Sequence, residues 1–510
     1  MTQKQITGRL ITRNWIVNLF GQGLPLLVGL LAVPWLLRYL GIERFGILSI
    51  AWALLGYAGQ FDLGLGRATT KYIAEYLGRG EHSALPGLFW TSLGSQTVFG
   101  VFAGLVLASA TPILVNRVLN ISPVYLGETK TLLFILAFSI PLIIVGNSSR
   151  GMLEAGQHFG IVNYVKLPAY LSIFLLPMMA IPFGVGLRGI VLLLVGSRFL
   201  ATAAYFALCF KYFPELRGRF TFDAKLIRPL FIYGGWVTVS NLVGPLLMYV
   251  DRFFIGAILS MSALGYYTAP YEIVSRIWLV PTSLMATVFP AFSSLRAGES
   301  NRQIEDLYTR SLKSILLVSG SILLLLAAFA PQILRIWLGP DFAARSTVTM
   351  QVLAMGMLVN CVAFVPFGLL QGLGRPDLTA IFHLLELPLY ALTLWFFLSR
   401  FGLVGAAWAC ALRISLDTLL LFGAVFKLKF ISGRKLIERP LQRAFVTLIL
   451  PALLLPLSWF RAPMGVYTLI SIAVMGIFIV LIWGYALDTD ERTLLAATVA
   501  GFRARLARAK

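Results

Sequence analysis

Charged residues are scarce in this chain of 510 residues. They make up 12% of the chain, and the mean hydropathy is +0.85, whereas about a quarter of the residues in a typical soluble domain are charged. Apolar runs recur along the whole length, so no stretch remains that could form a soluble domain of ordinary size. The composition therefore excludes an ordinary soluble globular protein.

Cysteine and histidine are also too few and too scattered to form a disulfide framework or a metal site, because no pair has a CxxC spacing. The sequence lacks a P-loop, an H-E-x-x-H motif and a G-x-S-x-G motif, which excludes an ATP-driven pump and predicts no cofactor. The residues concerned are Cys209, Cys361, Cys410, His82, His158 and His383.

The apolar runs predict an all-α polytopic membrane protein with about fourteen transmembrane helices. Most are long enough to cross about 30 Å of hydrocarbon as a helix. The first is too long for a signal peptide and lacks an A-x-A cleavage pattern, so we expect it to be retained. The predicted spans are 16–37, 45–66, 88–110, 132–146, 161–182, 186–210, 230–250, 264–289, 315–337, 348–370, 378–398, 404–425, 445–460 and 466–487.

The distribution of lysine and arginine predicts the topology. If the N-terminus is cytoplasmic, 29 of the 42 basic residues lie on the cytoplasmic side, Lys313 among them, nine lie on the opposite side and four lie within or at the edge of spans. This asymmetry follows the positive-inside rule and predicts that both termini are cytoplasmic, with the chain in a bacterial inner membrane. Since topology explains most of the net charge of +21, we expect no nucleic-acid partner.

Recurring motifs predict a duplicated unit of six helices. An even number of helices gives both copies the same orientation, so the repeat is parallel, and two facing lobes imply a central cleft with alternating access. The predicted domains are 1–215, 216–430 and a pair of additional helices with a basic tail at 431–510. The matched residues are Pro25 with Pro245, Gly46 with Gly265, and Gly186 with Gly402, at offsets of 220, 219 and 216.

Several motifs resemble the polysaccharide flippases of the multidrug/oligosaccharidyl-lipid/polysaccharide (MOP) exporter superfamily, the Wzx-like transporters. The resemblance implies a V-shaped, MATE-like pair of lobes that moves undecaprenyl-diphosphate-linked oligosaccharides across the inner membrane. It also implies membrane lipids, a polysaccharide polymerase and glycosyltransferases as partners. The motifs are QFDLGLG at 60–66, DRFFIG at 251–256, ALGYYTAPYE at 263–272, FPAFSSL at 289–295 and LLQGLGRPD at 369–377.

Four arginines within or beside spans are the candidate substrate-binding residues, because a charge in a membrane is costly unless it is paired or hydrated. A cationic lumen would suit an anionic diphosphate, which arginine binds through its planar fork. Internal pairing is the alternative, since Glu272 and Arg276, and Arg413 and Asp417, are four residues apart on a helix. The four candidates are Arg198, Arg252, Arg276 and Arg413.

Four acidic residues are candidates for ion coupling. A buried carboxylate can bind and release a proton as the lobes alternate, and coupling to a proton or a sodium gradient is therefore predicted. The alternative is that each acid only neutralises a neighbouring arginine. The candidates are Asp62, Glu272, Glu386 and Asp417.

Two further patterns concern helix packing and the membrane interface. Gly100 and Gly104 form a GxxxG motif, which predicts close helix packing. Tyr266, Tyr267 and Tyr271 are predicted to anchor the chain at the membrane interface, with sugar stacking as the alternative. The rival functions are a multidrug antiporter, whose cavity for cationic drugs should be dominated by acidic residues, and a polysaccharide polymerase or ligase, which should need larger loops.

Overall fold

In the computed structural model, the described residues are 28–58, 65–156, 158–218, 220–295, 301–432, 438–459, 464–488 and 491–493. Every regular element in these ranges is helical, which confirms the all-α prediction. The helices of the first half are α1 Val28–Leu40, α2 Ile42–Ala58, α3 Leu65–Arg79, α4 Leu85–Ile113, α5 Leu126–Ala155, α6 Phe159–Ala180, α7 Leu187–Tyr212, α8 Ile227–Ile258 and α9 Met261–Ser275.

The second half continues with α10 Leu279–Leu295, α11 Asn301–Ile315, α12 Ser321–Ala328, α13 Ala330–Leu338, α14 Pro340–Gly372, α15 Pro376–Lys427, α16 Arg439–Ala452, α17 Leu454–Trp459 and α18 Met464–Leu481. Eight helical segments within the described ranges are long and apolar enough to cross a membrane. The chain is thus a multi-pass membrane protein, and the count of fourteen spans stays a prediction.

Local sequence explains where several helices break. Gly402 has φ 57° and ψ −139° and divides α15 into two stretches, which correspond to the predicted spans 378–398 and 404–425. Glycine tolerates this positive φ because it lacks a Cβ atom. Arg276 lies in a short 3-10 turn, Arg276–Trp278, between α9 and α10. The predicted span 264–289 is therefore two helices joined at its central arginine.

The chain divides into two compact units. The N-terminal unit comprises Leu27–Ala269 and His383–Gly402, and the C-terminal unit includes Pro270–Phe382 and Leu403–Lys510. These units are defined by packing in space, whereas the predicted domains 1–215, 216–430 and 431–510 are defined by motifs that recur in the sequence. The domain limits therefore stay a prediction.

The predicted GxxxG packing is confirmed between α4 and α5. A Cβ atom on Gly100 would lie 2.6 Å from the Cα atom of Pro141, and one on Gly104 would lie 2.6 Å from the carbonyl oxygen of Ala137. Only glycine permits so close an approach of the two backbones. This contact holds the two helices together along much of their length.

A buried polar network joins α3, α4 and α5 next to that packing. The hydroxyls of Thr69 and Ser92 are hydrogen-bonded to each other, and Ser92 lies 3.0 Å from the hydroxyl of Ser148. The Gln96 amide, in the orientation that satisfies both of its ends, donates to the carbonyl of Ile144 at 2.7 Å and accepts from the Gly66 N–H at 3.1 Å. Buried polar groups that satisfy one another fix a single helix register, and here they fix the start of α3.

Candidate functional site

Arg198 lies close to the middle of α7, about 17 Å along the helix from Leu187 at 1.5 Å per residue. It is half-buried, and its electrostatic neighbours include Tyr170, Tyr205 and Arg150. The α6–α7 pair is tied one position before it by a hydrogen bond from Ser172 to Ser197 at 3.0 Å. The guanidinium is thus held on a rigid helix pair while part of it stays accessible.

Arg252 was expected at the edge of a span, but it lies inside α8, six residues before the last residue of that helix. Its side chain is 3% exposed, and its guanidinium lies 5.1 Å from the centre of the Tyr249 ring. The neighbouring Asp251 accepts a hydrogen bond of 2.7 Å from the hydroxyl of Tyr267. Arg252 is therefore part of a buried cluster.

That cluster corrects the prediction for the tyrosines. Tyr267 is 0% exposed and Tyr271 is 7% exposed, so neither ring can sit at a lipid–water interface. For these two residues the prediction was wrong, because Tyr267 points to a buried carboxylate sixteen residues away in sequence. For Tyr266, which is half-buried, it stays a prediction. Asp251, which the sequence analysis gave only as the first residue of the DRFFIG motif, is the acceptor in this pair.

Glu272 and Arg276 are brought together as the helical spacing predicts. Arg276 Nη2 lies 2.7 Å from Glu272 Oε2, and the two side chains are 29% and 17% exposed. Next to them, the Trp278 indole N–H donates to Asn360 Oδ1 at 2.7 Å, which joins the turn after α9 to α14. The alternative of internal pairing is confirmed for this arginine and this acid.

The remaining candidates differ in burial. Glu386 is 1% exposed and Asp417 is 7% exposed, both on α15. Arg413 is half-buried on the same helix. Asp62 lies outside the described residues. Burial of the two α15 carboxylates is compatible with the predicted ion coupling.

Lys313 is a charged residue whose environment sequence reasoning missed. It lies in α11, is 1% exposed, and its Nζ atom contacts Asp488 Oδ2 at 2.9 Å and Glu491 Oε2 at 2.7 Å. Arg443 lies 3.6 Å from the other oxygen of Asp488. The chain after α18 is therefore fixed to α11 and α16 by paired charges. The local sequence pattern does not reveal these ion pairs, because the partners are 175 and 178 positions away from Lys313 in sequence.

The starts of α2 and α9 form a reciprocal contact, which we call the α2–α9 contact. A Cβ atom on Gly46 would collide with the backbone carbonyl of Met261, and one on Gly265 would lie 2.7 Å from the carbonyl oxygen of Ile42. Met261 follows Ile42, and Gly265 follows Gly46, by the same 219 positions. Each helix thus presents its glycine to the equivalent residue of the other, as expected of a two-fold axis relating duplicated units.

Polar groups surround this contact, and we call Glu43, Arg44, Asn120, Ser122 and Glu128 the polar collar. Asn120 donates from Nδ2 to the carbonyl of Leu259 at 2.6 Å and from its N–H to the carbonyl of Gly256 at 2.8 Å. Glu43 accepts from the Ser122 N–H at 2.9 Å, and Arg44 pairs with Glu128 at 3.0 Å. The collar joins the start of α2 and the end of α8 to the turn before α5.

Similarity to known proteins identifies the family of this chain. Residues 11–296 match the model of the polysaccharide biosynthesis protein family. The chain belongs to this family. A Shigella flexneri relative in the curated proteins, named for O-antigen transport, is 31% identical over 81% of this chain and 96% of its own. A Haloferax volcanii relative, named for a flippase of low-salt glycan biosynthesis, is 24% identical over 80% of each chain.

Two solved transporter structures share the fold of this chain. The lipid II flippase MurJ, in an inward closed conformation, superposes with a TM-score of 0.71 at 14% identity, over 92% of this chain and 99% of that one. An inward-facing MATE multidrug transporter superposes with a TM-score of 0.69 at 14% identity, over 80% and 95%. The family match and the relative named for O-antigen transport, together with this shared fold, confirm the resemblance to Wzx-like MOP flippases. The family match spans the α2–α9 contact, Arg198, Arg252 and Glu272.

Proposed function

We propose that this protein is a flippase that moves undecaprenyl-diphosphate-linked oligosaccharides from the cytoplasmic to the periplasmic leaflet of a bacterial inner membrane. The observation that carries the proposal is the relationship, at 31% identity over most of both chains, to a protein named for O-antigen transport. The cargo is a repeat unit of a surface polysaccharide. A polymerase and glycosyltransferases are its partners in that pathway.

Arg198 is the residue we propose to bind the diphosphate. It is half-buried near the middle of α7, where an arginine costs free energy unless its charge is compensated or hydrated. Its fork can donate two parallel hydrogen bonds to phosphate oxygens. Arg413 occupies nearly the equivalent position of the second repeat, at an offset of 215, and we propose that it binds the cargo as well.

We further propose that the α2–α9 contact closes the periplasmic end and opens during transport. With both termini cytoplasmic, α2 and α9 begin on the periplasmic side. The reciprocity of Gly46 and Gly265 supports this role, because alternating access between duplicated units requires equivalent helices to meet and part about their common axis. A proton or a sodium ion drives the cycle in this proposal, with Glu386 and Asp417 as the buried coupling carboxylates and Glu272 and Asp62 as further candidates.

Complementation of a flippase-deficient strain tests the role of Arg198. We expect Arg198→Ala to abolish surface polysaccharide at normal expression, and Arg198→Lys to restore it in part, because lysine keeps the charge but not the fork. Arg117→Ala is the matched control, since Arg117 is an exposed arginine of the same unit. Normal complementation by Arg198→Ala would remove this residue from the mechanism without affecting the proposed function.

A vesicle assay tests the function itself. Purified protein in liposomes should turn over a fluorescent undecaprenyl-diphosphate sugar, which a membrane-impermeant quencher detects when it reaches the outer leaflet. The lipid carrier without its diphosphate sugar is the control. Absence of turnover by protein that complements the strain would contradict the flippase function.

A further inference from the structure

The segment that joins α7 to α8, described at 213–218 and 220–226, is fixed to the N-terminal unit at two places. Phe213 and Leu216 are 5% and 1% exposed and belong to a buried apolar cluster that includes Leu88 and Phe89 of α4. Further on, the N–H of Asp223 donates to the hydroxyl of Thr91 at 2.8 Å. We call this segment the α7–α8 strap. Its surface is consequently held in one place relative to α4.

Aromatic rings mark the depth at which the strap lies. The Phe220 ring is 4.8 Å from the Trp90 ring, and Trp90 also contacts Phe206 and Phe210 of α7 at about 6 Å. Tryptophan is enriched at the headgroup level of a bilayer, and Trp90 lies near the start of the apolar helical segment His82–Val118. The strap directly follows the apolar segment Leu187–Tyr212, which is long enough to cross a membrane.

At this level the strap exposes apolar and basic side chains together. Phe220 and Phe222 are 64% and 53% exposed. Exposed basic residues flank them, and both acidic residues already have contacts: Glu215 lies 3.3 Å from His82, and Asp223 accepts from the Lys225 N–H at 2.9 Å. The exposed basic residues are Lys211, Arg217, Lys225 and Arg228.

We propose that the α7–α8 strap binds the headgroups of anionic phospholipids. Basic side chains next to exposed aromatic rings at the membrane surface complement a lipid with a negative headgroup and an apolar chain. On the proposed topology the lipid belongs to the cytoplasmic leaflet. Such a lipid would hold the strap, and with it the start of α8, at the membrane surface.

Quenching by spin-labelled lipids tests the proposal in nanodiscs that contain the full chain. Thr221→Cys places a fluorophore between the two phenylalanines, and the native cysteines are buried, so labelling is selective. Phosphatidylglycerol with a nitroxide high on its acyl chain should quench this label several-fold more than equally labelled phosphatidylcholine at the same mole fraction. Phe183→Cys is the matched control, because Phe183 is exposed at the opposite end of α7, and there the ratio should be about one.

Charge variants and salt decide the cause. Replacement of Arg217, Lys225 and Arg228 by glutamine should bring the quenching ratio at Thr221→Cys to that of the control. Exchange of the two arginines for lysine and of the lysine for arginine should keep the ratio, because the charges are unchanged. If the glutamine variant fails to insert, 1 M salt on the otherwise unchanged protein should lower the ratio by itself. A ratio near one in the otherwise unchanged protein, or one insensitive to charge and salt, would overturn the proposal. Displacement of phosphatidylglycerol by equimolar undecaprenyl diphosphate would also overturn it, because the cargo would then be the ligand.

Discussion

Two glycine contacts of the N-terminal unit are similar in closeness but different in arrangement. In the α4–α5 contact both glycines, Gly100 and Gly104, lie on one helix and press against the backbone of the other. In the α2–α9 contact one glycine lies on each helix, and each glycine packs against the residue four positions before the other glycine. The first arrangement is a one-sided groove. The second is symmetric and lies at the starts of both helices.

The two contacts also differ in whether the polar groups around them are buried or exposed. A buried hydrogen-bond network of Thr69, Ser92, Gln96 and Ser148 accompanies the α4–α5 packing. The α2–α9 contact is surrounded by the polar collar, in which Asn120 is exposed and Arg44 is 38% exposed. Water can replace hydrogen bonds at an exposed rim at little cost, whereas buried polar groups must keep their partners. We therefore predict a permanent role for the first contact and, in line with the proposed transport cycle, a reversible role for the second.

The largest effect is expected from Gly100→Leu. The new side chain would meet the backbone of Pro141, where even a Cβ atom lies at 2.6 Å, and overpacking of this kind costs about 1–3 kcal/mol, occasionally more. We expect loss of folded protein, measured as the fraction that elutes as a monodisperse peak after heating. Gly196→Leu is the control, since nothing lies within 4 Å of a Cβ atom there. A Gly100→Leu variant as stable as the control would refute a permanent packing role.

Gly46→Leu should separate the two roles. We expect it to fold, because α2 and α9 can part at their starts, but to lose more than about tenfold of its transport activity, since a factor of ten corresponds to only 1.4 kcal/mol. Met261 is 0% exposed, so a cysteine introduced there should react with a membrane-impermeant maleimide only when the contact is open. Labelling should rise strongly in Gly46→Leu and equally in Gly265→Leu.

The reciprocity provides the internal control for that experiment. If Gly46→Leu exposed position 261 but Gly265→Leu did not, the contact would be a one-sided groove like that of α4 and α5. If both variants failed to fold, as Gly100→Leu is expected to do, the contact would be permanent. Either result would remove the α2–α9 contact from the transport cycle.

The sequence was sufficient where the determining interactions are local. Helix class followed from hydropathy, the Glu272–Arg276 pair from a spacing of four residues, and the packing of Gly100 and Gly104 from a small-residue motif. The repeat offset of 219 even identified Gly46 and Gly265 as equivalent. It did not reveal that they meet across α2 and α9, because equivalence in sequence does not specify contact in space.

Long-range burial could not be predicted in the same way. Lys313 was expected in a cytoplasmic connection, yet it is a buried residue of α11 held by Asp488 and Glu491. A lysine is tolerated there because two carboxylates compensate the cost of removing its charge from water. Tyr267 was expected at an interface, but its hydroxyl reaches Asp251. In both cases the partner, rather than the local pattern, determines where the residue lies.

A smaller effect is expected from Asn120→Ala. The variant loses the hydrogen bond of 2.6 Å to the Leu259 carbonyl but keeps the bond from its own N–H to Gly256. A single hydrogen bond contributes about 1 kcal/mol, so the open fraction should rise several-fold. The rate of maleimide labelling at Met261→Cys measures this fraction. Asn116→Ala is a suitable control, because Asn116 is an exposed asparagine one turn earlier. An unchanged rate would mean that the collar does not stabilise the closed contact.

The smallest effect is expected from Arg44→Gln. Its ion pair with Glu128 is 3.0 Å long, but the arginine is 38% exposed, and pairs of this kind contribute at most about 1 kcal/mol and often nothing measurable. Labelling at Met261→Cys should therefore rise by about twofold, which corresponds to about 0.4 kcal/mol within that range. Salt at 0.5 M should remove the difference, because the Debye length falls well below its physiological value of about 8 Å. The same salt should leave the effect of Asn120→Ala unchanged, since that bond joins neutral groups. A large, salt-resistant effect of Arg44→Gln would show that the collar is held by a buried charge pair, and the contrast with the α4–α5 contact would then lose its physical basis.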